Sequence, residues 1–148
     1  AHLDGQCQTH FVTAGAAPCT ALFKPIWLDT PLPDAGTIPG GTYDPRSCFW
    51  RHEMLHRAVL RDYQGRIQVY ADERDELERR WVGQALDMAG KPFIERASFV
   101  AQTFVTAQEK EARWVEAVTA APPRGRNGWL YQRAWQAFNR EAHLPRER

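Results

Sequence analysis

Residues 8–28 read QTHFVTAGAAPCTALFKPIWL, and this stretch decides between an all-helical and a mixed fold. Its first part, Gln8 to Thr13, is rich in β-branched and aromatic residues, which is typical of a strand. A second extended segment runs from Thr20 to Leu28. Pro25 has no backbone N–H to donate to a ladder, so that part of the segment is expected at a sheet edge or past the end of the strand. Residues 1–28 therefore predict a strand pair.

The rest of the chain has the pattern of a loop followed by helices. Residues 29–45 hold four prolines and predict a long Pro-rich loop. Helical patterns then follow over residues 46–62, 72–89, 93–120 and 129–142. The first begins after Pro45 and ends before Gly65, as helix boundaries commonly do. The predicted fold class is α+β, a strand pair followed by about four helices over residues 46–142.

The composition excludes several classes of protein. The chain has 148 residues and a net charge of +1, without the basic excess of a nucleic-acid binder. Mean hydropathy is -0.56 and no apolar run approaches the roughly 20 residues of a membrane span, so we expect a soluble protein. Three cysteines without CxxC spacing indicate free thiols in the cytoplasm. The length suits one domain, or the C-terminal part of a larger one.

The first residues look internal to a longer chain. Asp4-Gly5 is a strong hairpin signal, yet only three residues precede it. A hairpin needs a strand on both sides, so the polypeptide is expected to extend upstream. A strand without its natural partner leaves an open edge, which favours a homo-oligomer formed through that edge.

One catalytic motif is present, the HExxH pattern at His52, Glu53 and His56. On a helix the two histidines lie one turn apart and can bind zinc, while the glutamate can act as general base on a metal-bound water. A third protein ligand would be required. The candidates at longer spacing are Glu73, Glu76 and Glu78.

Four neighbouring residues argue against this zinc site. Val59 and Asp62 occupy the positions of the glycine and third histidine of the extended metzincin motif. Arg51 and Arg57 place two cations beside a site meant for a dication. Histidines that pack or hydrogen-bond at the edge of the core are the preferred interpretation.

Aromatic residues in the last helix form a second pattern. Tyr131, Trp135, Phe138 and Ala142 recur at helical spacing. A ligand-stacking face is one interpretation, but such a stripe more often packs in the core. The same expectation covers the long helix, at Phe99, Phe104, Trp114 and Val115.

Three stretches resemble a known family. Residues 9–15 and 17–25, which end in Phe23-Lys24-Pro25, resemble the strand pair of secernin-like dipeptidases. Residues 49–57 are similar to the helix that follows in bacterial relatives. The resemblance covers about the first 60 to 65 residues.

The resemblance implies an N-terminal-nucleophile amide hydrolase with a four-layer αββα fold. The nucleophile of that mechanism is a cysteine at the mature N-terminus, whose α-amine shuttles the proton. Residue one here is Ala1, and Cys7, Cys19 and Cys48 are internal. The catalytic residue is therefore expected upstream, with none in this chain, and the HExxH match is then coincidental.

Three hypotheses follow for the function. The leading one is the C-terminal portion of a cytoplasmic dipeptidase-like or acyltransferase-like amide hydrolase. It would need no cofactor and would have two partners, the upstream part of the polypeptide and a peptide or amide substrate. The second is a zinc hydrolase with ligands His52 and His56 and base Glu53. The third is a non-catalytic helical interaction module.

Overall fold

A computed structural model describes residues 8–13, 15, 17–122, 125 and 127–145 of the chain. The expected hairpin at Asp4-Gly5 lies outside these residues, as does Cys7. Over the described residues the fold is α+β, with one two-stranded antiparallel sheet and five helices. The predicted fold class is confirmed at this level.

The strand pair forms as its sequence predicts. Strand β1 (Thr9–Val12) pairs antiparallel with β2 (Lys24–Trp27), and Phe11 stands opposite Pro25. The second strand is shorter than the predicted segment, whose first residue, Thr20, lies instead in a 3-10 turn over Pro18–Thr20. In that turn the Thr20 N–H donates to Ala17 O at 3.0 Å. The chain becomes extended again only after the turn.

Five helices follow the Pro-rich loop. Their bounds are Cys48–Val59 (α1), Tyr63–Ile67 (α2), Ala71–Met88 (α3), Phe93–Ala120 (α4) and Trp129–Glu141 (α5). No helix among the described residues combines the length and apolar character needed to cross a lipid bilayer.

The prediction of a single helix over residues 46–62 is confirmed for residues 48–59 and is wrong at its C-terminal end. Helix α1 ends at Val59, and a separate short helix, α2, contains Gly65, which we expected beyond the helix end. Asp62 starts this extra helix because its carboxylate accepts a hydrogen bond from the Gly65 N–H at 3.3 Å. An aspartate read as the end of one helix therefore caps the next.

The core is centred on the packing of α1 against α4, with β2 lying against α3 and α4. Leu55 and Val59 of α1 are fully buried, and Trp114 of α4 belongs to the same cluster. Trp114 stacks on Tyr70 with ring centroids 4.8 Å apart. The expected core packing of the α4 aromatic residues is confirmed, since Phe99 and Phe104 also pack against buried clusters.

The aromatic stripe of α5 does not pack in the core as expected. Tyr131 is 43% exposed and Phe138 is 52% exposed, and no residue of α5 is fully buried. Trp135 reaches α1, where its ring meets the His56 ring edge-on with centroids 6.1 Å apart. Ala142, just after the helix, is buried. The helical period identified one apolar face correctly, but most of that face remains in solvent.

Candidate functional site

A cavity of about 170 Å³ lies between the sheet, the Pro-rich loop, α1 and α4. Most of its wall is apolar and comes from Val12, Leu32, Pro33, Ala35, Phe104 and Ala107. The polar residues that line it are Thr13, Lys24, Cys48, His52, Gln108 and Glu111. The cavity therefore combines an apolar enclosure with a few converging polar groups, which is the usual character of a small-molecule site.

His52 is the most constrained side chain of the site. It is 2% exposed, and its Nε2 lies 3.1 Å from Thr20 Oγ1. The single hydroxyl hydrogen of Thr20 is donated to Ala17 O at 2.9 Å. Nε2 is therefore the donor to Thr20 Oγ1, which leaves Nδ1 as the ring nitrogen free to accept or carry a second proton.

Glu111 faces that second nitrogen. Its Oε1 lies 3.5 Å from His52 Nδ1, and Nδ1 has no hydrogen-bond partner among the described residues. The imidazole and the carboxylate both border the cavity. A proton on either group would allow a hydrogen bond between His52 Nδ1 and Glu111 Oε1. Such a pair can hold or release a proton beside a bound molecule.

Lys24 brings a cation into the same enclosure. It is 7% exposed, and Nζ donates to Leu22 O at 2.9 Å and lies 5.6 Å from the ring centroid of Phe104. Burial lowers the pKa of Lys24, and the negative charge of Glu111 partly opposes that shift. No carboxylate of the described residues lies within ion-pair distance of Nζ. Within the described part of the chain, the ammonium is thus buried without an anionic partner.

Gly15 makes the approach of β1 to His52 possible. A Cβ at this position would lie 2.5 Å from His52 Cδ2 and 3.0 Å from Ala21 Cβ. Those separations are too short for non-bonded carbon atoms, so only glycine fits. The backbone leaving β1 consequently lies directly against the imidazole.

Cys48 borders the cavity at the start of α1 and is a free thiol. Arg51 Nη2 lies 2.9 Å from its Sγ, and Gln108 Nε2 lies 3.9 Å away. Both contacts come from donors, so the sulfur accepts hydrogen bonds at the cavity wall.

The HExxH residues have separate sets of partners. His52 is held by Thr20 and Glu111, whereas His56 Nδ1 lies 3.0 Å from Glu53 Oε1. Arg57 Nε donates to the other oxygen of Glu53 at 2.7 Å. Burial would raise the pKa of Glu53, but the hydrogen bonds and charges of His56 and Arg57 outweigh it and lower that pKa.

The three proposed third ligands also have other partners. Glu73 accepts from Lys110 and Trp114, Glu76 pairs with Arg79, and Glu78 accepts from the Phe23 N–H. No group of three or more His, Cys, Asp or Glu side chains that could hold a metal ion is found in the described part of the chain.

A second cavity, of about 300 Å³, lies between α1 and α5. Three of its lining residues are arginines, at 57, 61 and 66. Arg57 is held by Glu53 and by Asn139, and Arg66 donates to the carbonyls of Ala58 and Ala121. Because these cations already serve the packing, the first cavity is the stronger candidate site.

The sequence singled out His52 but missed Glu111 as its partner. Buried positions of α4 recur at 96, 100, 103, 107, 111, 114 and 118, a regular helical stripe in which Glu111 is the single carboxylate. A carboxylate on the buried face of a helix requires a partner, and this was the signal in the sequence that could have identified Glu111.

No known protein family, curated protein or solved structure matches this chain.

Proposed function

We propose that this chain is the C-terminal portion of an N-terminal-nucleophile amide hydrolase whose catalytic cysteine lies in an upstream part of the same polypeptide. The observation that carries the proposal is that three separate stretches of the sequence meet at one cavity. The three stretches that resemble secernin-like dipeptidases contribute Thr13 and Gly15, then Lys24, then His52 to one cavity. Segments related only by sequence resemblance thereby contribute polar groups to a single, largely apolar cavity. In the proposed αββα fold, β1 and β2 would belong to a larger sheet.

The chemistry of such an enzyme is acyl transfer through a thioester. The upstream thiolate attacks the amide carbonyl, a C–S bond forms, and the C–N bond breaks as the leaving amine takes the thiol's proton through the α-amine. Water then hydrolyses the thioester to release the acid and regenerate the thiol. In this scheme His52 and Glu111 orient the substrate amide, and the apolar wall restricts bulk water.

The test uses the full polypeptide with its upstream segment. Incubation with a panel of dipeptides and N-acyl amino acids is expected to release amine, measured by mass spectrometry. A thiol-directed substrate analogue should label a cysteine at the mature N-terminus. Cys19→Ser, an exposed change outside the cavity, should leave turnover unaltered. Failure to cleave any amide, or a label mapped to Cys48, would overturn the proposal.

The exposed face of α5 favours an interaction role as a second candidate. Trp129 and Leu130 are 67% and 66% exposed, and Tyr131 and Phe138 of the same helix are about half exposed. Adjacent apolar side chains in solvent commonly mark a docking surface. Within the proposed hydrolase, the upstream part of the polypeptide would cover this face. A Trp129→Ser/Leu130→Ser double variant should then weaken that contact, measured by limited proteolysis.

A further inference from the structure

We propose that Lys24 is the carboxylate anchor of this cavity and that the substrate is a small amide carrying one free carboxylate beside an aliphatic side chain. The inference rests on the proposed function and names the substrate class of that site. An N-acyl derivative of an aliphatic amino acid has this chemistry, as does a dipeptide with an aliphatic C-terminal residue.

The Lys24 ammonium has unmet bonding capacity. An ammonium has three N–H donors, and only the bond to Leu22 O is formed within the described residues. The side chain is almost fully buried, so water can compensate the remaining donors only through the cavity. A carboxylate placed there would supply both acceptors and the missing negative charge.

The size and polarity of the enclosure suit a small aliphatic ligand. A dry cavity of about 150 Å³ accommodates a molecule the size of benzene. The 170 Å³ available here is therefore sufficient for a single amino-acid residue. Leu32 and Phe104 of the wall offer apolar contacts to its side chain, and the Phe104 ring lies next to Lys24.

Glu111 and His52 lie on the α-helical wall of the cavity. Glu111 can accept a hydrogen bond from the substrate's amide N–H, which is bonded to the same carbon atom as the carboxylate. The same negative charge repels a second carboxylate on the ligand. The site should consequently prefer aliphatic residues over aspartate or glutamate.

The direct test is binding to the full polypeptide, measured by titration calorimetry. The probes are N-acetyl-L-valine, its neutral analogue N-acetyl-L-valinamide, and N-acetyl-L-glutamate. We expect N-acetyl-L-valine, the acid, to bind more tightly than N-acetyl-L-valinamide or N-acetyl-L-glutamate. The loss of one charge-assisted hydrogen bond predicts a difference of roughly tenfold or more. Equal affinity of the acid and the amide for the wild-type protein would overturn the proposal, whatever the variants do.

Two variants test whether the preference for the acid comes from the Lys24 ammonium or from the net charge of the protein. Lys24→Met keeps the length of the side chain and removes the ammonium, so it should bind the acid and the amide alike. Lys91→Met removes the same charge from an exposed position after α3 and should bind as the wild type does. Unchanged preference for the acid in Lys24→Met would contradict the anchor role.

Hydrolysis assays keep this inference distinct from the proposed function. Cleavage of acetyl-valine and acetyl-valinamide at the same rate would overturn the carboxylate anchor and leave the amide hydrolase intact. Tight binding of N-acetyl-L-valine with no cleavage of any amide would instead support the carboxylate anchor and overturn the amide hydrolase.

Discussion

Thr20 Oγ1 and His52 Nε2 lie 3.1 Å apart in the buried interior, where the 3-10 turn between the strands meets helix α1. The Tyr70 hydroxyl donates to the carbonyl of the same threonine at 3.0 Å. Burial raises the pKa of Tyr70, so this hydroxyl stays protonated and remains a donor. Thr20 therefore fixes the imidazole from one side and is itself fixed by Tyr70.

Thr20→Val should destabilise the fold by about 1–3 kcal/mol, because the His52 Nε2–H loses its acceptor inside the core. Thr103→Val is the matched control. Thr103 is equally buried, but its hydroxyl only donates to Val100 O within α4. Chemical denaturation of the two variants measures the difference. Equal losses would show that the Thr20–His52 contact contributes nothing specific.

Gly15→Ala should destabilise the protein and displace His52, since the new Cβ would approach the ring to 2.5 Å. Gly83→Ala should instead stabilise the protein. A Cβ at Gly83 meets nothing within 4 Å, and the residue lies inside α3, so alanine should add about 1 kcal/mol of stability. Thermal unfolding of both variants tests the pair, and a neutral Gly15→Ala would contradict the close packing.

Glu53→Gln should lower stability at neutral pH by roughly 2 kcal/mol, since Glu53 is buried and receives hydrogen bonds from Arg57 and His56. The lowered pKa of Glu53 sets the pH dependence. Its contribution is complete above the unfolded value of 4.5 and is lost as the pH falls through the lower folded value. The wild type should thus lose its advantage over the variant on acidification below pH 4.5.

Denaturation curves across acidic pH measure this effect. Glu76→Gln is the control, because its pair with Arg79 is largely exposed and is expected to matter little. A constant stability gap between wild type and Glu53→Gln from neutral pH down to well below 4.5 would exclude the proposed linkage.

Zinc loading tests the remaining motif hypothesis. After incubation with zinc and dialysis, elemental analysis is expected to find less than one zinc per chain, because Thr20 holds His52 and Arg57 holds Glu53. Stoichiometric zinc that disappears in both His52→Ala and His56→Ala would restore the zinc hydrolase hypothesis.

The parts of the fold predicted from the sequence are those with local causes. The β-branched run at 9–12 forms β1, and helix α4 spans the predicted residues 93–120. The exposure of the α5 stripe was not predictable, because helical periodicity identifies an apolar face without identifying what covers it. The pairing of His52 with Glu111 depends on α1 packing against α4, which no local pattern encodes.

The contact between Gly15 and His52 has a consequence for sequence evolution. Residue 15 must be glycine because the His52 ring of helix α1 occupies the space that a side chain there would need. Positions 15 and 52 therefore cannot vary independently. We expect proteins that share this site to retain glycine wherever they retain the histidine. A smaller residue at 52 should permit alanine at 15, and the two substitutions should therefore covary.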